Sequence, residues 1–249
     1  MSTTSSATRN PARVTTTAVL VLATIAACGG SSKPKPVIAV ADAASYHPAV
    51  DASRFVGRIT NPYLPLLPGA RWVYDGDEHV EVVVTSDSKT ILGIKATVVR
   101  DTVSIGGVVK EDTYDWYAQD RDGNVWYLGE ATQEYDHGKV TSTEGSWEGG
   151  VDGALPGIAM PAQPVPGPGY RQEYRKGEAE DLAQVLRAGQ TVTVGGKAYA
   201  DAVVIREWTP LEPDVVEEKT YAPGVGNILG ADVKGSSTKV HLTSFTPGR

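Results

Sequence analysis

The chain has 249 residues, 41% hydrophobic and 21% charged, with 27 glycines and 16 prolines, which excludes a disordered polymer, a coiled coil and a collagen. A formal charge of −7 argues against nucleic acid as the main partner, because phosphate binding needs a basic face. The length suits one domain of about 200 residues or two small ones.

At the amino end, Arg9 and Arg13 precede an uncharged run from Val14 to Ala27 with Val19, Leu20, Val21, Leu22 and Ile25 at its centre. This is the layout of a secretory signal peptide, residues 1–27. As a helix the run reaches roughly 21 Å, short of the roughly 30 Å hydrocarbon core of a bilayer, so a permanent span is not expected.

Ile25, Ala26 and Ala27 stand before Cys28, the only cysteine. They resemble the lipobox of bacterial lipoproteins, in which the cysteine sulfur receives a diacylglycerol and becomes the first mature residue. The resemblance implies acylation of Cys28, with membrane lipid as a partner. The alternative is a small residue at an ordinary cleavage site. Two acyl chains anchor stably where one does not. Residues 28–50, with Ser31-Ser32-Lys33-Pro34-Lys35-Pro36 and an Ala-rich continuation, suit a tether. Without Arg9 and Arg13, 21 basic residues face 30 acidic ones, a net of −9, and such a surface stands off anionic lipid. The expected location is the outer side of the cell membrane.

Residues 51–249 read as one β-rich globular domain, an antiparallel meander forming a curved sheet or partly closed barrel with one helix. Turn pairs at Asp75-Gly76, Gly106-Gly107, Asp122-Gly123, His137-Gly138 and Gly195-Gly196 separate extended runs. Val80, Val82 and Val84 alternate against Glu81 and Thr85, as Val240 and Leu242 do against Lys239, His241 and Thr243, the period of half-buried strands. Ten to twelve strands are expected. Leu155 to Tyr170, with prolines at 156, 161, 164, 166 and 168, is predicted not to be a central strand. Ala179, Leu182, Ala183 and Leu186 follow helical spacing, with acids in the first turn and Arg187 and Gly189 at the end, which predicts an amphipathic helix.

Catalytic signatures are largely missing. Gly145-Ser146-Trp147-Glu148-Gly149 has its serine one place early for a nucleophile elbow. Gly224, Gly226 and Gly230 miss the dinucleotide spacing. His47, His79, His137 and His241 lack metal-ligand spacing. Neither a metal nor any other cofactor is assigned. Asp120-Arg121-Asp122-Gly123-Asn124 has the opening of a calcium loop, but Ala131 stands where the closing glutamate would fall, and a hairpin turn is the simpler reading.

The candidate ligand-binding residues come from two stretches dense in rings and charges: Trp116 and Trp126 from the first, then Glu144, Trp147, Glu148, Tyr170, Arg171, Glu173 and Tyr174 from the second. On a curved sheet they could line a concave wall for a small molecule or lipid, or simply fill a core. A pair drawn from Glu144, Glu148, Glu173 and Glu178 suits glycosidic acid/base work if separated by about 5 to 9 Å, which makes an exported hydrolase the alternative to a binding protein.

Asn61-Pro62-Tyr63-Leu64-Pro65-Leu66-Leu67-Pro68-Gly69 with Trp72, Tyr114 to Asp120, Ser142 to Asp152, Tyr170 to Asp181 and Tyr221 to Gly226 resemble a family of uncharacterised secreted bacterial proteins and lipoproteins. No activity carries over from that family. More distantly, a lipoprotein meander is similar in architecture to envelope carriers whose half-barrel holds an acyl chain.

Overall fold

The computed structural model describes residues 45–249. The signal peptide, Cys28 and most of the tether lie outside the described residues. After a short 3-10 turn at Ala52–Arg54, β1 (Phe55–Val56) leads to β2 (Arg71–Gly76), β3 (His79–Ile91), β4 (Ile94–Ile105), β5 (Val108–Asp120) and β6 (Val125–Asp136). Short β7 (Lys139–Ser142), β8 (Trp147–Glu148), β9 (Leu155–Met160), β10 (Tyr170–Arg171) and β11 (Glu173–Tyr174) follow. The chain ends with β12 (Leu182–Val194), β13 (Lys197–Trp208), β14 (Val216–Ala222), β15 (Gly226–Lys234) and β16 (Lys239–Thr246). Sixteen strands exceed the expected number, chiefly because several two-residue pairings carry no alternation that a sequence could display.

The sheet order is β10-β12-β13-β14-β15-β16-β2-β3-β4-β5-β6-β9-β11, with β1 on β5 and β7 and β8 on β6. Tight turns keep sequential strands adjacent and antiparallel. The two ends of this path belong to one segment: Tyr170 and Arg171 pair with Ala183 and Leu182 of β12, whereas Glu173 and Tyr174 pair with Pro156 and Leu155 of β9. Residues 170–174 therefore stitch the sheet into a nearly closed barrel. Gly157 permits the stitch, since a Cβ there would lie 2.5 Å from the Arg171 carbonyl oxygen.

Three sequence expectations are corrected. Residues 182–194 form strand β12, not a helix. The 3.6-type spacing covers only four residues, whereas from Arg187 to Val194 burial alternates strictly, and β13 offers a full partner from Leu182↔Trp208 to Val194↔Lys197. Gly189, with φ 66°, lies in a register shift between Arg187 and Gln190 instead of ending a helix. The proline-rich stretch contains β9, flanked by β6 and β11. Pro156 is tolerated because it pairs only with Glu173 while β6 takes up β9 from Gly157, and the remaining prolines fall beyond Met160. Gly76 is likewise not a turn residue: it ends β2, where a Cβ would meet the Lys239 carbonyl oxygen at 2.0 Å, and the turn follows at Asp77 and Glu78.

Antiparallel pairing sends alternate residues to opposite faces. The inner face carries the main core of Trp72, Val84, Val99, Val203, Ile205 and Ile228. A second core outside the barrel gathers Ile91, Ile94, Val98, Trp116 and Leu128 beneath Val50 and Phe55. The segment before β2 seals one end of the barrel. Asn61 Nδ2 donates to the carbonyls of Gly123 (2.9 Å) and Pro161 (3.1 Å), Tyr63 Oη donates to Asp201 O (3.0 Å), and Gly224 N donates to Pro62 O (2.7 Å). Four barrel elements are thereby tied to one plug, which turns Leu64 and Leu66 inward.

Candidate functional site: the barrel lumen

Inside the barrel, a cavity of about 560 Å³ runs from the plug leucines to Glu78, Asp232 and Thr238 at the opposite end. A branch of about 290 Å³ reaches toward β9 and the stitch. Leu64, Asp101, Asp115, Tyr117, Lys219 and Tyr221 line both, so the two volumes form one lumen.

Register explains which side chains share it, because directly paired residues lie on one face. One row runs Trp72, Val82, Asp101, Thr113 across β2 to β5; the next places Val84, Val99, Asp115 and Glu130 together. Across the lumen, Tyr221, Lys219 and Glu217 of β14 face Val203, Ile205 and Glu207 of β13. One side is thus apolar (Trp72, Val80, Val82 and Val240 above the plug), and the other is rich in carboxylates.

The charge balance is lopsided. Six carboxylates line the main cavity and four more the branch, against one cation, Lys219, among the described residues that line them. Outside the barrel, carboxylates face guanidinium groups: Arg71 with Glu81 (2.7 Å), Arg100 with Asp112 (2.7 Å) and Arg206 with Glu218 (2.6 Å). Inside, the register sets acid against acid, Asp115 opposite Glu130 and Glu217 opposite both Glu207 and Asp232. Like charges so placed repel.

Lys219 Nζ donates to Glu207 Oε2 at 2.7 Å and lies 3.3 Å from Glu217 Oε2. Burial works against its ammonium, but Glu207 and Glu217 outweigh that and push its pKa well above the ordinary lysine value. The opposite group has no such partner. Burial, reinforced by Asp115 and Glu111, pushes Asp101 well above the usual carboxylate range, and Asp101 Oδ1 is buried with no hydrogen-bond partner. Burial also raises Asp115 to about 6, although Tyr127 Oη donates to it at 2.6 Å. Glu130 and Glu173 are raised by burial and by neighbouring carboxylates, and Asp181 reaches about 6 for the same reasons. Ionising these groups together in a low dielectric is costly, which shifts each of them toward its acid form.

Of the residues singled out in the sequence, Glu173 lines the lumen. Trp147 supports it from behind, its Nε1 donating to Glu173 Oε2 at 2.6 Å. The others lie elsewhere. Trp116 is in the outer core under Lys89, whose Nζ is 3.5 Å from the ring centroid. Trp126 packs edge-on against Phe55 and donates to Asp120. Glu148 pairs with Lys89 at 2.8 Å, and Glu144 and Glu178 are exposed. Arg171, 6% exposed, stacks on Tyr174, 4.8 Å from its ring, and its Nε and Nη1 have no partner. The Tyr170 hydroxyl is buried without one too. Tyr174 packs edge-on against Tyr46, whose hydroxyl donates to Pro156 O at 2.7 Å. The four glutamates considered as a hydrolytic pair therefore do not share one cavity. At the Asp120 turn, both carboxylate oxygens accept hydrogen bonds from Asn124 or Trp126, and Asp122 pairs with Arg54: this is the bonding of a hairpin turn.

Asp115, Tyr117 and Tyr127 belong to the first ring-dense stretch without being taken as candidates, and Asp101, Lys219, Tyr74 and Tyr221 were missed. Their signal was present as period-2 polar sets, Glu111-Thr113-Asp115-Tyr117 and Glu217-Lys219-Tyr221, but such sets read as solvent faces until closure turns them inward.

Fold and site together define a nearly closed antiparallel β barrel, plugged at one end, with a sided, carboxylate-rich lumen. No protein-family model and no curated protein matches the sequence. Among solved structures, a Bacteroides fragilis protein with a YmcC-like fold, thought to be exported, overlaps 74% of this chain and 98% of its own at 14% identity and a TM-score of 0.43. A Parabacteroides distasonis protein thought to be a lipoprotein overlaps 75% and 99% at 9% identity and a TM-score of 0.33.

Proposed function

We propose that this chain is an exported, membrane-anchored protein that binds a small ligand in its barrel lumen without chemistry. The observation that carries the reading is the continuous lumen: about 560 Å³ plus about 290 Å³, within the roughly 300–1,000 Å³ range of ligand sites, with polar groups set in an apolar wall. A barrel with a purely structural role is better served by side chains packed to the density of a protein interior than by walls set around such a space. Native mass spectrometry of the gently purified chain is expected to show a retained small molecule that is released on unfolding. A chain of bare sequence mass, with no added molecule that protects it against thermal unfolding, overturns the reading.

The location rests separately on Cys28. Cys28→Ser is expected to release the protein into the medium or to block its processing, read by fractionation and intact mass. Unchanged membrane retention removes the anchor and leaves the lumen reading untouched.

A further inference from the structure

The sidedness of the lumen narrows the ligand further, on the premise that the lumen is a binding site. Asp101 stands at the seam. Its neighbour on β3 is Val82, and beyond it lies Trp72, whereas its neighbour on β5 is Thr113. Trp72 is 3% exposed, held by a 2.6 Å bond from Nε1 to Val225 O and stacked 5.2 Å from Phe245, so the apolar wall is rigid. Opposite it, Asp115 and Glu130 face each other with no base between them. Lys219 is engaged by Glu207 and Glu217. The buried Asp101 Oδ1, lacking any donor, is a polar atom aimed into this space and left for a visitor to satisfy. A carboxylate or phosphate ligand would add negative charge to an uncompensated group, whereas an ammonium supplies the missing donors and the missing charge.

We infer that the lumen takes a cationic amphiphile, a molecule with a primary or secondary ammonium bound at Asp101 and Asp115 and an apolar body laid along Trp72, Val82 and the plug leucines. Protons compete with the ammonium for these carboxylates, so binding weakens as pH falls.

The test compares n-decylamine, n-decanol and decanoate on the purified full chain by calorimetry at pH 7.5 and 5.5. Decylamine is expected to bind at least tenfold more tightly than decanol, with decanoate weakest, and to lose at least threefold of its affinity at pH 5.5. Asp101→Asn is expected to cost decylamine at least tenfold and leave decanol unchanged, which separates loss of charge from loss of fold. Equal or tighter binding of decanol or decanoate overturns the cationic class while leaving a ligand-binding lumen. Unchanged decylamine affinity in Asp101→Asn overturns the assigned carboxylate. Failure of all three probes, with a retained molecule still seen by mass spectrometry, overturns the amphiphile but not the lumen.

Discussion

The unliganded protein is expected to become more stable as pH falls from 8 to 5, and Asp101→Asn to flatten that dependence while raising the melting temperature at pH 8. The direction follows from linkage. Asp115 and Asp181 stand at about 6 in the folded chain, above their unfolded value of about 3.9. Between those values the native state binds more protons than the unfolded one, so stability is fully present below about pH 4 and is lost as pH rises through about 6. Each such shift is on the order of 3 kcal/mol. Asp101 is pushed in the same direction by burial and then by Asp115, Glu111 and Asp112 of β5, with Lys219 of β14 opposing. An amide at this position keeps the shape and removes the ionisation. A rise of roughly 5 °C or more at pH 8 is expected, at about 2–4 °C per kcal/mol for a chain of this size. Below about pH 4 the slope turns over, because Asp120 behaves oppositely: burial raises it, but bonds from Trp126 and Asn124 outweigh that and hold it low. Thermal melts across pH decide the matter; a wild-type curve flat between pH 5 and 8, or a destabilised Asp101→Asn, shows the lumen carboxylates to be well hydrated. Together with the binding test, this makes Asp101 a position where stability is given up for recognition.

The largest loss is expected from Lys219→Met. Removing the ammonium leaves Glu207 and Glu217 facing each other across β13 and β14 with no base between them, and breaking one side of this partly buried ion pair, whose lysine side chain is 31% exposed, costs up to about 3 kcal/mol, the low end for buried pairs. The cost should be greatest at pH 7.5 and smaller at pH 5, because burial raises Glu217 and favours its acid form. The triple variant Lys219→Met, Glu207→Gln, Glu217→Gln should recover most of the stability at pH 7.5, since replacing all partners of a buried network is far milder than removing one. Equal losses at both pH values, or no recovery in the triple variant, would mean that Lys219 contributes packing and not charge.

Much of the strand pattern was legible because a period of two is a local property. Val80, Val82 and Val84 appear in β3, Val240 and Leu242 in β16, and four of the five expected turn pairs fall between strands. Legibility failed where a local signal was short or had two meanings. Four apolar residues at helical spacing could not outweigh the twelve-residue partner that β13 offers β12. Pro156 marks a break in general and a strand here, because it pairs only on the stitch side, opposite Glu173, while β6 takes up β9 from Gly157 onward.

By itself, then, the sequence determined an antiparallel, strand-dominated body, most of its turns, and the basic, apolar and cysteine-ended order of its first 28 residues. Only the tertiary structure decided which acids meet. Whether Glu217, Lys219 and Tyr221 face water or a lumen depends on which way the sheet curls, and whether Asp115 confronts Glu130 or passes it depends on a register shift between Trp116 and Tyr117. Alternation assigns a residue to a face; closure of the barrel decides whether that face is wet, and therefore what its charges cost and what they can bind.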